Sequence, residues 1–267
     1  PDFEWTVEAN PGAAAREKIA GFLSIGVNRF SIGVQSFDES TLSALGRGHT
    51  AEEARELIDR VRATESGCAW GIDLMFAAPG QTLEQWIADL EEAIDFRPHH
   101  LSIYEVTVHE GTPFARREAR GALRLPDEEM RRLMFQETRM RLLRKHYNHY
   151  EISNFALPGF ESRHNRRYWT GHDYLGLGVS AHSCIGARRW ANPPDMALYR
   201  RELTGGRLPR VIEPPPAGRS ATGEWIMLGL RQLAGFSPTD FQARFGRDFF
   251  EVYDREVERL VEARAEV

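Results

Sequence analysis

Gly71-Ile72-Asp73-Leu74-Met75-Phe76, then Ala77-Ala78-Pro79-Gly80-Gln81, then Thr82-Leu83-Glu84-Gln85-Trp86, is the stretch on which the fold turns. The first part is an apolar run of strand length, the second a turn, the third a helix start. Thr82-x-x-Gln85 matches a capping box, and Leu83, Trp86, Ile87, Leu90 and Ile94 recur at helical spacing as one apolar stripe. Asp73 breaks the apolar run. An ionised carboxylate is rarely interior unless compensated, so Asp73 must face a lumen or pair with a cation, and a functional role outweighs a structural one.

Working outward, the same unit repeats. Strands are expected at Phe3–Glu8, Arg29–Val34, Ala69–Phe76 and His100–Val106. Helices are expected at Ala13–Ser24, Asp38–Leu45, Ala51–Ala63 and Leu83–Phe96, with a second capping box at Thr50-x-x-Glu53. Such alternation implies right-handed crossovers and a parallel sheet, with the site at the carboxyl ends of the strands. Glu8, Gln35, Arg47 and Asp73 all fall at or just beyond those ends. Glu8 can accept hydrogen bonds from an amine or hydroxyl; alternatively it caps the helix at Ala13. Arg47, between Gly46 and Gly48, can grip a carboxylate with two N–H groups; alternatively it is a solvated surface arginine.

After Val106 the rhythm breaks. His109 to Leu125 reads as a polar loop, Asp127 to His146 as a helix acidic at its start and basic at its end, and Tyr150–Ser153 as one more strand. Asn154 to Ala187 is a long glycine-studded stretch, and from Pro194 the chain reads as helical, broken at Pro214-Pro215-Pro216 and Gly235-Phe236-Ser237-Pro238. Two domains are expected, 1–190 an α/β unit and 191–267 a small helical or winged-helix-like one. His164-Asn165-Arg166-Arg167-Tyr168-Trp169 gathers an imidazole, two cations and two large aromatics. That set suits a haem, with imidazole on iron, rings on the macrocycle and arginines on the propionates. A structural aromatic cluster is the alternative. Gly176-Leu177-Gly178-Val179-Ser180-Ala181-His182-Ser183 allows close backbone approach to a ligand, or else forms a bulged strand closing the sheet; both readings stand.

Composition narrows the class. A net charge of −5 argues against a nucleic-acid partner, and no apolar run is long enough to span a bilayer. No export signal is visible, so a cytoplasmic location is expected. The two cysteines, Cys68 and Cys184, lie far apart without CxxC spacing and cannot by themselves hold zinc or an iron–sulfur cluster.

With these pieces in place the chain resembles the radical S-adenosylmethionine (SAM) family of oxygen-independent coproporphyrinogen III oxidases, in its haem-chaperone branch. The carriers are Val7-Glu8-Ala9-Asn10-Pro11, Gly33-Val34-Gln35-Ser36-Phe37, Leu45-Gly46-Arg47-Gly48-His49, and Ile72-Asp73-Leu74-Met75 with Pro79-Gly80-Gln81-Thr82. Farther on come Gly111-Thr112-Pro113, Glu151-Ile152-Ser153-Asn154-Phe155-Ala156 and the segment His164 to Trp169. The resemblance implies a partial (β/α) barrel with a small, mostly helical C-terminal domain. It implies that Glu8, Gln35, Arg47 and Asp73 hold SAM through its amino-acid moiety and ribose. It also implies that His164, Tyr168 and Trp169 bind haem, with His164 on the iron, and that haem passes to acceptor proteins. A [4Fe–4S] cluster goes with the family, but its CxxxCxxC motif is absent here. The abrupt start in a strand and the end inside a helical pattern lead us to expect a fragment, unable to bind the cluster or carry out radical chemistry, with an unpaired strand edge. Catalytic residues are not assigned; a homodimer and peripheral membrane contact are left open. Two other functions compete: oxidative decarboxylation of coproporphyrinogen III, and a hydrolase using Glu8 and Asp73 as an acid–base pair across a cleft.

Overall fold

The computed structural model describes residues 3–64, 67–186, 188–214 and 216–265. It falls into two units, Pro1–Glu161 and Ser162–Val267.

The first unit is an α/β layer: β1 (Thr6–Ala9), α1 (Ala13–Ser24), β2 (Arg29–Gln35), α2 (Glu39–Leu45), α3 (Ala51–Arg62), β3 (Ala69–Phe76), α4 (Leu83–Asp95), β4 (His100–Glu105), α5 (Pro113–Glu118), α6 (Glu128–Arg144), β5 (Asn148–Glu151) and β6 (Asn154–Ala156). Its sheet runs β1-β2-β3-β4-β6-β5, parallel from β1 to β4 and antiparallel beyond. Alternation along each strand sorts the side chains. Phe30, Ile32, Val34, Ile72, Leu74, Phe76, Leu101 and Ile103 point to one face, where they meet Ile19, Leu57, Ile58, Trp86, Leu90, Met134 and Leu142 from α1, α3, α4 and α6 in one core. Each such side chain, fully buried, stabilises by about 1.5–3 kcal/mol. Trp86 also ties α4 to α6, donating from Nε1 to Thr138 Oγ1 at 3.0 Å and Met134 O at 3.2 Å. The other face carries Glu8, Ser31, Gly71, Asp73, Ser102 and Tyr104. It is the inner face of a partial (β/α) barrel.

Both capping boxes form as expected, Thr50 with Glu53 and Thr82 with Gln85. Asp127 caps α6 through Met130 N at 2.8 Å, with Glu128 and Glu129 in the first turn and Arg141 and Arg144 in the last. Two expectations are corrected. The polar loop His109 to Leu125 contains a helical turn, α5, capped by Thr112. Tyr150–Ser153 is not one strand: the chain turns at Ile152 and Ser153, and β5 and β6 form an antiparallel hairpin whose inner strand pairs with β4.

The second unit contains α7 (Arg163–Trp169), β7 (His182–Ile185), β8 (Arg188–Ala191), α8 (Met196–Thr204), β9 (Val211–Glu213), α9 (Gly218–Leu230), α10 (Pro238–Phe245) and α11 (Phe249–Ala265). The three strands make their own antiparallel sheet, β7-β8-β9. The chain after Pro194 is therefore helical except at β9. An aromatic knot of Trp225, Phe236, Phe241, Phe245, Phe249 and Tyr253 holds α9, α10 and α11, with Phe241 fully buried at its centre. The division at Glu161/Ser162 lies ahead of the 190/191 boundary expected from the sequence, which would cut through β8. Pro1, Asp2, Ala187, Pro215, Glu266 and Val267, which enter the sequence reading at the two ends, the glycine-studded stretch and the proline run, lie outside the described residues.

Candidate functional site

Register places the polar face of the first unit. Glu8 pairs across the sheet with Ser31, and Asp73 with Ser102. The Ser31 hydroxyl donates to the Asp73 carboxylate, at 2.9 Å from Oδ1 and 3.0 Å from Oδ2. Asp73 thus lies two residues beyond the Glu8–Ser31–Gly71 row, beside Ser102 and reached diagonally by Ser31. Burial of its carboxyl pushes its pKa up to about 6, against the opposing effect of the Ser102 and Ser31 hydroxyls and with a further push from the Glu8 charge. No cation is in salt-bridge contact with it among the described residues. Its compensation is hydroxyl hydrogen bonding, not the ion pair that the apolar run alone would allow.

Glu8 itself is exposed and does not cap α1; Gly12 is the N-cap, without a side-chain bond. The two carboxylates stand on one face of one sheet with β2 between them.

Gln35 ends β2 at φ 69°, in the left-handed region that non-glycine residues rarely adopt, beside a register shift between Ile32 and Gln35. Gly33 is the reason its amide can lie over the sheet. A Cβ at Gly33 would sit 2.9 Å from Gln35 Nε2 and 2.9 Å from Asn10 Oδ1. The missing side chain is a cradle in which both amides meet. The turn that follows is clamped from α4: Ser36 Oγ donates to Asp89 Oδ2 at 2.5 Å and Phe37 N to Asp89 Oδ1 at 2.7 Å. Asp89 is almost fully buried, and desolvation pushes its pKa up to about 6.

Arg47 follows the left-handed C-cap Gly46 of α2 (φ 70°). The guanidinium is exposed and its Nη2 rests 3.4 Å from Met75 Sδ, at the carboxyl end of β3. Arg47 and Met75 thus bring a cation to the polar face. Asn10, Ser31, Ser102 and Asp89 belong to this constellation and were missed in the sequence. Asp89 was legible: it lies three residues after Trp86, on the buried side of the α4 stripe.

His164, Tyr168 and Trp169 lie in the other unit, on α7, whose N-cap Ser162 accepts from Asn165 N at 3.1 Å. His164 is exposed and packs edge-on against Tyr168, ring centroids 4.9 Å apart. Tyr168 meets Tyr174 at 4.6 Å, and Arg231 lies over Trp169 at 4.2 Å from the ring centre. Tyr168 and Trp169 line a cavity of about 770 Å³ whose other walls include Tyr174, Trp225, Phe245 and Arg244. His164 is not among the described residues lining it. In the Gly176–Ser183 stretch a Cβ at Gly176 would lie 2.2 Å from His182 O, so that glycine permits close approach of backbone to backbone, and β7 joins the small sheet rather than closing the large one.

An iron–sulfur cluster does not fit these residues. It needs several cysteine thiolates together. Cys68 is in the first unit with its thiol pushed up to about 11 by burial, and Cys184 is in the second. No group of three or more His, Cys, Asp or Glu among the described residues is placed to hold a metal ion. Among the same residues no helix is long and apolar enough to cross a membrane.

A parallel sheet with carboxylate, amide and guanidinium groups at its strand ends defines an α/β protein with a polar sheet face, and comparison gives its class. Residues 1–93 match the Radical SAM superfamily, and residues 222–264 match the HemN C-terminal domain. A protein named Heme chaperone HemW from Lactococcus lactis subsp. lactis (strain IL1403) is 34% identical over 258 residues, covering 97% of this chain and 67% of its own length. One of the same name from Bacillus subtilis (strain 168) is 33% identical over 260 residues, covering 97% and 68%. The solved structure of coproporphyrinogen III oxidase (HemN) from Escherichia coli, a radical SAM enzyme, superposes with TM-score 0.79 over 99% of this chain and 63% of that one, at 22% identity. At that identity the likeness speaks for the fold. The chain belongs to the HemW-type family of the radical SAM superfamily and spans about two-thirds of the length of these relatives.

Proposed function

We propose that this protein is a haem chaperone that binds SAM on the polar sheet face of its first unit and haem on its second, and hands haem to acceptor proteins. The observation that carries the haem half is the family relationship: two relatives covering nearly the whole chain bear the name Heme chaperone. The observation behind the SAM half is the Gly33 cradle beside the desolvated Asp73 carboxyl. Glu8 accepts from the ligand's ammonium, Arg47 holds its carboxylate, Asp73 accepts from the ribose hydroxyls, and Gln35 and Asn10 supply amides. SAM, when bound, supplies a sulfonium cation that the surrounding carboxylates stabilise. The [4Fe–4S] cluster of the superfamily is not held by the residues described above. Tyr168 and Trp169 offer ring faces to the macrocycle and His164 an imidazole to its iron.

The test is transfer. Haem-loaded protein is mixed with an apo-haem protein and the acceptor's Soret band is followed, with SAM binding measured in parallel by calorimetry. Haem uptake and release to the acceptor, together with loss of SAM binding in Glu8→Gln, is the expected result. A protein that takes up neither ligand refutes the proposal.

A further inference from the structure

We infer that the cavity of the second unit is the seat of the haem and that His172 Nε2, in its wall, ligates the iron. This inference rests on the haem-binding reading above and adds a residue that the family motif does not contain.

The neighbours of His172 set the tautomer of its neutral ring. Its Nδ1 lies 2.6 Å from Thr170 Oγ1, and that hydroxyl lies 2.8 Å from the Arg166 carbonyl. A hydroxyl has one hydrogen, and a carbonyl can only accept. Both bonds form only if Thr170 donates to Arg166 O and accepts from Nδ1–H. In the neutral ring the other nitrogen, Nε2, then keeps its lone pair, the form in which imidazole binds a metal. The turn that carries the ring is itself braced. His172 N donates to Arg167 O at 3.0 Å, Arg167 Nε donates to Asp173 O at 2.7 Å, and Gly186 N donates to Asp173 Oδ1 at 2.9 Å.

The cavity around His172 matches the rest of the ligand. Haem is a flat apolar disc with two carboxylates on one edge. Tyr168, Trp169, Tyr174, Trp225 and Phe245 give flat apolar walls. Of the two cavity arginines, Arg189 is paired with Glu224, whereas Arg244 has no ion pair among the described residues. Arg244 Nη1 lies 3.9 Å from where a Cβ on Gly171 would be, next in sequence to His172. An imidazole for the iron and a guanidinium for a propionate therefore flank one turn.

The experiment is a titration of ferric haem into wild-type protein and into His172→Ala, Arg244→Gln, His164→Ala and Cys184→Ser, read by Soret position, spin state in electron paramagnetic resonance, and affinity. His172→Ala is expected to lose the imidazole signature, to bind at least tenfold more weakly, and to regain the signature with added free imidazole, which a merely structural lesion would not do. Arg244→Gln is expected to weaken binding about tenfold with the iron spectrum unchanged. If only His164→Ala or Cys184→Ser changes the axial signature, the inference is overturned while haem binding stands. If the wild-type protein takes up no haem, the haem-binding reading falls with it.

Discussion

At the scale of single residues, Gly33 and Asp73 make opposite demands on the chain. Gly33→Ala would push a methyl into the two amides that meet over it, and those are the ends of side chains that can swing away. The expected outcome is a fold of nearly unchanged stability with at least tenfold weaker SAM binding, checked by calorimetry beside thermal melting. Asp73 costs the fold stability. Its pKa rises from 3.8 to about 6 on folding, so the native state holds its proton more tightly. The sign follows from linkage: stability is highest while the group is protonated in both states and falls as pH rises from about 4 to about 6. At about 1.4 kcal/mol per pKa unit, Asp73→Asn should stabilise the protein by roughly 1–3 kcal/mol at pH 7 and by nothing near pH 3.5. Denaturant melts at the two pH values decide it, and equal effects at both would remove burial of charge as the cause. SAM binding by the ionised carboxyl should also weaken about tenfold on going from pH 7 to pH 5. Asp73 was legible as a lone carboxylate in an apolar run. Its partners were not: serine is common in strands, and nothing in Ser31 or Ser102 announces a hydroxyl turned toward a carboxylate on the neighbouring strand.

Among the elements, α4 decides where the end of β2 sits. Asp89 takes up the hydroxyl of Ser36 and the amide of Phe37, both buried. Asp89→Ala strands two donors, and at about 1–3 kcal/mol for each unsatisfied group the expected loss is roughly 2–6 kcal/mol. Chemical denaturation checks the magnitude; a loss below about 0.5 kcal/mol would mean that water replaces the carboxylate. In the first unit α1 and β3 were read from sequence without error, because strand and helix periods are strong there, and two capping boxes mark the starts of α3 and α4; the first strand was expected three residues too early, at Phe3 rather than Thr6. The β5–β6 turn was not legible, since Ile152-Ser153 carries neither glycine nor proline. The small β7-β8-β9 sheet was hidden for a different reason: strands of three or four residues are too short to establish a period.

For the whole molecule the division into two units has a thermodynamic signature. Each candidate ligand is assigned to one unit, so calorimetric melting should show two transitions, with SAM raising one and haem the other. Saturation at a hundred times the dissociation constant stabilises the bound unit by about 2.7 kcal/mol. One shared transition raised by either ligand would contradict the separate assignment. The boundary itself was misplaced by the sequence reading because the glycine-studded stretch before β7 looks like loop in either unit, while the contacts that assign it are long-range.

Glu8 rides on β1, a strand of four residues that stands at the rim of the sheet among the described residues, with β2 as its neighbour. A short rim strand is the part of a sheet that opens first, so its amides should trade hydrogen for deuterium well before those of β2 and β3. A ligand gripped at one end by Glu8 and at the other by the firm interior would close that zipper. Loading SAM should then slow exchange most along Thr6–Ala9, making the outermost strand the reporter of capture.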